Sequence, residues 1–254
     1  MTDPSVPSPL LPPSPDGPPL EAPPEPQRVP FWGYRDLMFL IAVAGVLWAG
    51  IGGIAVFLFQ FPLGAVQALA VTFAYEGLWF LALYGVMYFG YGRPFWSSLA
   101  WVKAPRGFWD AAGWGLLTAL ICLVIASLLP APHTKTPMEE LLKGRSSLLL
   151  MGFFAVTLGP LFEELAFRGF LQPLLVSTFG ALGGVALQAV PFAALHGVEY
   201  AWSWQQLLVM LFAGSAFGWM RYRSGSTAAS TYMHAGFNFV MFMGMLAENF
   251  VRKT

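Results

Sequence analysis

The stretch Leu148–Phe170, LLLMGFFAVTLGPLFEELAFRGF, is long and apolar enough to cross a bilayer, yet it carries Glu163, Glu164 and Arg168. A charge at the bilayer centre costs at least about 2.5–3.5 kcal/mol on insertion scales, so ionisable groups in such a segment face protein or a polar cavity and mark function by default. A structural ion pair that locks helix packing would account for one acid and one arginine. It leaves the second carboxylate without a role. On a helix each residue advances by about 100°, so Glu163 and Glu164 point in different directions and have different jobs. Glu164 and Arg168 stand at i and i+4 with the acid on the N-terminal side, the favourable order for a helical pair. The expectation is that Arg168 neutralises and orients Glu164, while Glu163 stays available as a proton acceptor.

The rest of the chain supplies the context for those charges. Of its 254 residues 57% are hydrophobic and only 10% charged, with 13 basic residues balancing 13 acidic ones. A soluble domain carries about 25% charged residues, so the deficit means that most of the surface faces lipid. The composition reads as an all-α, polytopic transmembrane helical bundle with the lipid bilayer as its partner and an intramembrane polar cavity. An integral, multi-pass protein of a bacterial cytoplasmic membrane is the expected location. Balanced charge and the lack of a basic stripe exclude nucleic acid as a partner. The single Cys122 has no partner for an intramolecular disulfide and serves as core or lipid-facing filler.

Apolar runs fall at about 37–59, 66–87, 111–129, 148–170, 181–195, 207–220 and 227–246, separated by segments with Gly, Pro or charge. They predict seven membrane helices, or eight, the fifth and sixth being short for the ~20 residues that a span needs. Residues 1–30 form a proline-rich tail that cannot bury enough apolar surface to order itself and lacks the basic and apolar regions of a signal peptide. Residues 31–254 form the membrane domain. Thr136-Pro137-Met138-Glu139 reads as the start of a short interfacial helix, and His133 beside it as a solvated loop residue. With the tail cytoplasmic, Arg93, Lys103, Arg106, Arg221 and Arg223 fall inside, and Lys135, Lys143, Arg145, Arg252 and Lys253 outside, too small a margin to fix orientation. Trp96, Trp101, Trp109, Tyr200, Trp202 and Trp204 read as interfacial belts.

Two further polar elements interrupt the apolar runs, Phe192-Ala-Ala-Leu-His196 and His234-Ala-Gly-Phe-Asn238. The spacing of four puts His234 and Asn238 on one helical face, one turn apart, where both can donate toward a developing oxyanion. An isolated histidine in a membrane helix commonly bonds a neighbouring helix. Two histidines, an asparagine and paired acids on three apolar runs point instead to one shared pocket. Pro160 and Pro191 lie shortly before Glu163 and His196, and local kinks are expected at both.

Taken in order, Glu163-Glu164-x-x-x-Arg168, Phe192-x-x-x-His196 and His234-x-x-x-Asn238 closely resemble the signature of the CAAX protease and bacteriocin-processing family, also called the Abi family, with its type II CAAX prenyl proteases. The string GPLFEELAFRGFL at Gly159–Leu171 is similar to the family's central helix, and the resemblance covers about residues 141–247, the expected catalytic core. It implies an intramembrane endopeptidase acting on a membrane-associated peptide or protein. Carried over, Glu163 with His196 would hold and activate the attacking water, His234 and Asn238 would stabilise the oxyanion, and Glu164 with Arg168 would support the site. Family members are described as metalloproteases. Glu163, His196 and His234 make a two-histidine, one-carboxylate set for Zn²⁺ or another divalent metal, whereas the absence of HExxH spacing leaves a metal-free glutamate mechanism equally open.

Two other classes compete with hydrolysis. A proton- or ion-coupled transporter would use Glu76, Glu163, Glu164, His196 and His234 as a relay, and would carry two related halves, for which the sequence offers no internal repeat. A catalytically silent immunity or scaffold protein would keep the motifs only for folding.

Overall fold

A computed structural model describes residues 30–59, 64–130, 136, 142 and 144–251. The tail before residue 30, His133 and the helix start expected at Pro137–Glu139 lie outside the described residues. Within them the chain is helical, with no strand. In order come α1 (Tyr34–Phe59), α2 (Ala65–Gly85) with a π-helical turn at Val86–Gly90, the short α3 (Phe95–Ser98), α4 (Gly107–Leu128), α5 (Arg145–Val156), α6 (Leu158–Glu164), a π-helical segment at Leu165–Leu171, α7 (Gln172–Leu195), α8 (Trp204–Ser224) and α9 (Thr227–Val251).

Four helical stretches, Tyr34–Leu58, Ala65–Gly90, Gly107–Leu128 and Arg145–Leu195, are long and apolar enough to cross a membrane. Trp48, Phe57, Phe89, Trp109 and Leu128 project from them with most of their surface exposed. This is the pattern of helices whose outer faces meet lipid, and the chain is a polytopic helical membrane protein. All seven expected apolar runs lie on helices of the described residues, and the reason that the inner ones fall short on apolarity lies in what they bury. The first turns of α9 bury Thr227, Ser230, Thr231 and His234, so its polar groups face protein and dilute its apolarity.

The path from Arg145 to Leu195 is one helical run with three interruptions. Thr157, between α5 and α6, leaves the helical region at φ −116° and ψ −79°. Pro160 three residues later explains it, because the proline ring collides with the carbonyl four residues before it. The second interruption is the π-helical segment Leu165–Leu171, which contains Arg168. The third is Gly180, at φ 72° and ψ 176°, a conformation open to glycine and strained for other residues. At Pro191 the backbone dihedrals stay helical, and the break within α7 lies at Gly180 instead.

Two apolar clusters flank the π-helical segment. Phe167 belongs to one with Ala119, Cys122, Phe192, Val209, Phe217, Met233 and Phe237, so Cys122 is core filler. Leu165 and Phe170 belong to the other with Trp32, Leu40, Leu83, Met87, Phe95 and Leu99. Trp32 stacks on Phe170 with ring centroids 5.6 Å apart, and its indole N–H donates to the Phe170 carbonyl at 3.1 Å. The chain just before α1 is thereby fastened to the helix that carries the charges. The loop after α3 seats α9 in the same way: the Thr227 amide donates to Ala100 O at 2.9 Å and its hydroxyl to Leu99 O at 2.6 Å.

α4 and α9 approach to backbone contact. A Cβ on Gly115 would overlap the Met233 carbonyl, and one on Gly236 the Ala112 carbonyl. Small residues at a crossing let membrane helices gain dispersion contacts where no hydrophobic force drives them together. The register of α9, and hence of His234 next to Met233, depends on this crossing. Gly115→Ala is therefore expected to lower the thermal midpoint in detergent by the equivalent of about 1–3 kcal/mol, the usual range for overpacking. Gly113→Ala, where a Cβ meets nothing within 4 Å, should leave the midpoint unchanged or raise it.

Candidate active site

Glu164 and Arg168 are both fully buried and form the expected i, i+4 pair, with Arg168 Nη1 2.9 Å from Glu164 Oε1. Arg168 Nη2 donates to the Gly214 carbonyl of α8 at 2.8 Å, and Gln188 of α7 donates to that same carbonyl at 3.0 Å. One oxygen thus ties three elements together. The guanidinium lies 4.3 Å from the centroid of Phe192 and 5.5 Å from that of Phe217. Such ring faces stabilise a desolvated cation.

Glu164 Oε1 also accepts from His234 Nδ1 at 3.0 Å. Because a carboxylate oxygen only accepts, Nδ1 carries the hydrogen in this contact, and Nε2 presents a lone pair when the ring is neutral. That Nε2 lies 3.9 Å from Glu163 Oε2, beyond a direct hydrogen bond. Glu163 Oε2 is buried and has no hydrogen-bond partner among the described residues. One histidine therefore stands between the two adjacent glutamates and reads them differently. Phe217 stacks on the His234 ring at 4.4 Å and fixes its plane.

His196 caps the C-terminal end of α7, and its Nδ1 lies 2.9 Å from Phe192 O. The carbonyl again requires the hydrogen on Nδ1, which frees Nε2. Tyr200 stacks over the His196 ring at 6.4 Å. The turn that holds them contains Ala201 and Trp202 at φ 50° and 55°, left-handed conformations uncommon outside glycine. Asn238 has a structural partner in addition to any oxyanion. Its Nδ2 donates to Ala155 O at 2.7 Å and ties α9 to α5, so only its second amide hydrogen is available to a ligand.

The candidate metal set of Glu163, His196 and His234 is not assembled: among the described residues no three His, Cys, Asp or Glu side chains gather closely enough to hold a metal ion. The Nδ1 bonds of His234 and His196 leave both Nε2 atoms free, as a ligating histidine needs, but the three side chains as placed do not meet at one point. The residues as placed do not fit the metal, and no step is drawn through one.

Sequence reasoning missed Glu199, gave Phe192 no role beyond its place in the motif and kept Glu76 for the transporter reading alone. Phe192 packs on Arg168, His196 and His234 at once, and its place four residues before His196 was the available signal. Glu199 follows His196 by three residues. It keeps open surface on one side while protein crowds the others; that burial raises its carboxyl above the ordinary range, Glu163 adds to the rise and His196 opposes it. Glu76, which only the transporter reading used, lies within electrostatic range of Glu163 and Glu199, and its Oε2 is buried without a partner among the described residues. Phe73 and Phe80, on its face of α2, pack on Phe154 and Phe162, at 5.2 and 5.5 Å, so Glu76 looks toward α5 and α6.

Fold and site together define a helical membrane protein with a buried Glu–Arg–His network and a second, unpaired glutamate beside it. Residues 145–240 match the family model described as Type II CAAX prenyl endopeptidase Rce1-like, in agreement with the resemblance carried by the three motifs. No curated protein and no solved structure matches the chain.

Removing Arg168 strands Glu164 in the interior. Arg168→Ala is expected to destabilise the protein by about 3–5 kcal/mol in detergent melting, the usual cost of breaking a buried pair. Arg168→Lys should recover only a minor part of that loss, because one ammonium cannot reproduce the planar fork reaching both Glu164 and Gly214.

Proposed function

We propose that the protein is an intramembrane endopeptidase that hydrolyses a peptide bond in a membrane-associated substrate, with Glu163 as general base. The observation that carries this reading is the unpartnered Glu163 Oε2 facing the lone-pair nitrogen of His234 across 3.9 Å. A water donating one hydrogen to each would turn an oxygen lone pair outward, toward a substrate carbonyl. Glu163 then takes the proton as the water oxygen bonds to the carbonyl carbon. When the tetrahedral intermediate collapses and the C–N bond breaks, the same carboxyl returns that proton to the departing nitrogen.

His196, with Nε2 free, is the second imidazole able to hold the water, and the remaining amide hydrogen of Asn238 is the donor for the oxyanion. Glu164 and Arg168 act through His234: the pair holds Nδ1 protonated and fixes the ring. The family match supports the reaction class. A type II CAAX prenyl peptidase acts after a lipidated cysteine, so a prenylated peptide is the first substrate to try.

Glu163→Gln preserves shape and removes the base. Turnover of a prenylated reporter peptide by the purified protein is expected to fall by about 10²–10⁴-fold, with the melting midpoint unchanged. Full activity in Glu163→Gln would remove Glu163 from the mechanism. Wild-type turnover should persist in a chelator, and a loss restored by added Zn²⁺ would replace this water-activation scheme with a metal-based one.

A further inference from the structure

Arg221 is a cation without an acid. It lies in the last turn of α8, its Nε donates to Thr227 Oγ1 at 3.0 Å, and no carboxylate pairs with it among the described residues. A desolvated charge normally has a counter-charge. The C-terminal end of a helix favours a cation but offers only about half a unit charge. The Arg221 side chain borders a pocket of about 220 Å³ between α7 and α8, which Arg168, Gln172, Ser177 and Tyr222 also line.

Arg168 is fully buried, and its Nε has no hydrogen-bond partner among the described residues. Each of its Nη groups gives a hydrogen, to Glu164 and to Gly214, and the Nε–H is a donor with no partner among the described residues that can serve the pocket. Gln172 is nearly fully buried and held by Nε2 on Gly218 O at 2.9 Å, and its Oε1 is likewise unpartnered. The pocket therefore offers two guanidinium groups for an anion and one orphaned acceptor that needs an O–H. Ser177 and Tyr222 form its exposed rim.

The pocket opens at the end of the bundle where Tyr34 bonds Thr178, with the hydroxyls 2.8 Å apart, and where the loop following Arg93 meets the start of α9. Arg223 belongs to the same last turn of α8. Basic pockets between membrane helices at an interface hold lipid headgroups.

We propose that this pocket binds a phosphate group whose molecule also offers an O–H, the phosphate held by Arg221 and Arg168 and the O–H donating to Gln172 Oε1. The chemistry is that of an anionic lipid headgroup of the phosphoglycerol kind, or of a free hydrogen phosphate. The site lies on the far side of Arg168 from Glu164; it shares that residue with the hydrolytic site, but the proposal does not rest on the hydrolytic reading.

The test is thermal unfolding of the full chain in detergent, titrated separately with phosphatidylglycerol, phosphatidylcholine and inorganic phosphate at matched ionic strength. Phosphatidylglycerol is expected to raise the midpoint saturably by about 3 °C or more, and phosphatidylcholine, which lacks the hydroxyl, to have little effect. A rise with inorganic phosphate and none with phosphatidylglycerol would support the pocket with a free anion as its ligand. Arg221→Gln should abolish the rise and Arg221→Lys retain part of it. Ser177→Leu blocks the rim without touching the buried charges, so it should weaken the effect even if Arg221→Gln does not fold. No saturable rise with either phosphoglycerol lipid or phosphate, an equal rise with phosphatidylcholine, or an undiminished rise in Ser177→Leu would overturn the proposal.

Discussion

Everything around the site depends on keeping one arginine charged in an apolar bundle. Arg168 is fully buried, and burying an ion is tolerable only where partners replace the water it loses. Glu164, the Gly214 carbonyl and the rings of Phe192 and Phe217 provide those partners from three different elements, α6, α8 and α7. The requirement therefore dictates how α6, α7, α8 and the π-helical segment meet. The π-helical geometry at Leu165–Leu171 is where the charge sits, and flanking residues in that segment feed both apolar clusters.

The same network divides labour between the adjacent acids. Glu164 is consumed by structure, since Oε1 accepts from both Arg168 and His234. Glu163 is left with an unpartnered oxygen and partial exposure. A helix turning by about 100° per residue makes this separation unavoidable once Glu164 faces inward. The histidine between them transmits the arrangement: the hydrogen on Nδ1 is set by Glu164, which determines what Nε2 offers to Glu163. A structural ion pair and a reactive carboxyl are thus two ends of one device.

The close crossing of α4 and α9 and the seating of Thr227 on the loop at Leu99–Ala100 set where His234 arrives. Both devices use backbone carbonyls as the contact surface. Membrane helices without a hydrophobic force between them rely on such close approach and on directed hydrogen bonds. Polar residues on α9 are accordingly structural as often as functional, and their burial is why that helix is less apolar than the outer ones.

From the sequence alone came the membrane class, the order of the helical runs and the i, i+4 pairing of Glu164 with Arg168. These follow from local rules: hydropathy sets helices against lipid, and helical periodicity relates residues within a turn or two. Tertiary structure alone decided that His234 bridges the two glutamates, that Asn238 gives a hydrogen to Ala155, that the metal set does not converge and that Gly180 rather than Pro191 breaks the helix. It also brought Glu76, Phe192 and Glu199 to the site and left Arg221 without an acid among the described residues. Those outcomes depend on which elements meet and at what register, and periodicity within one helix carries no information about the partner it will face.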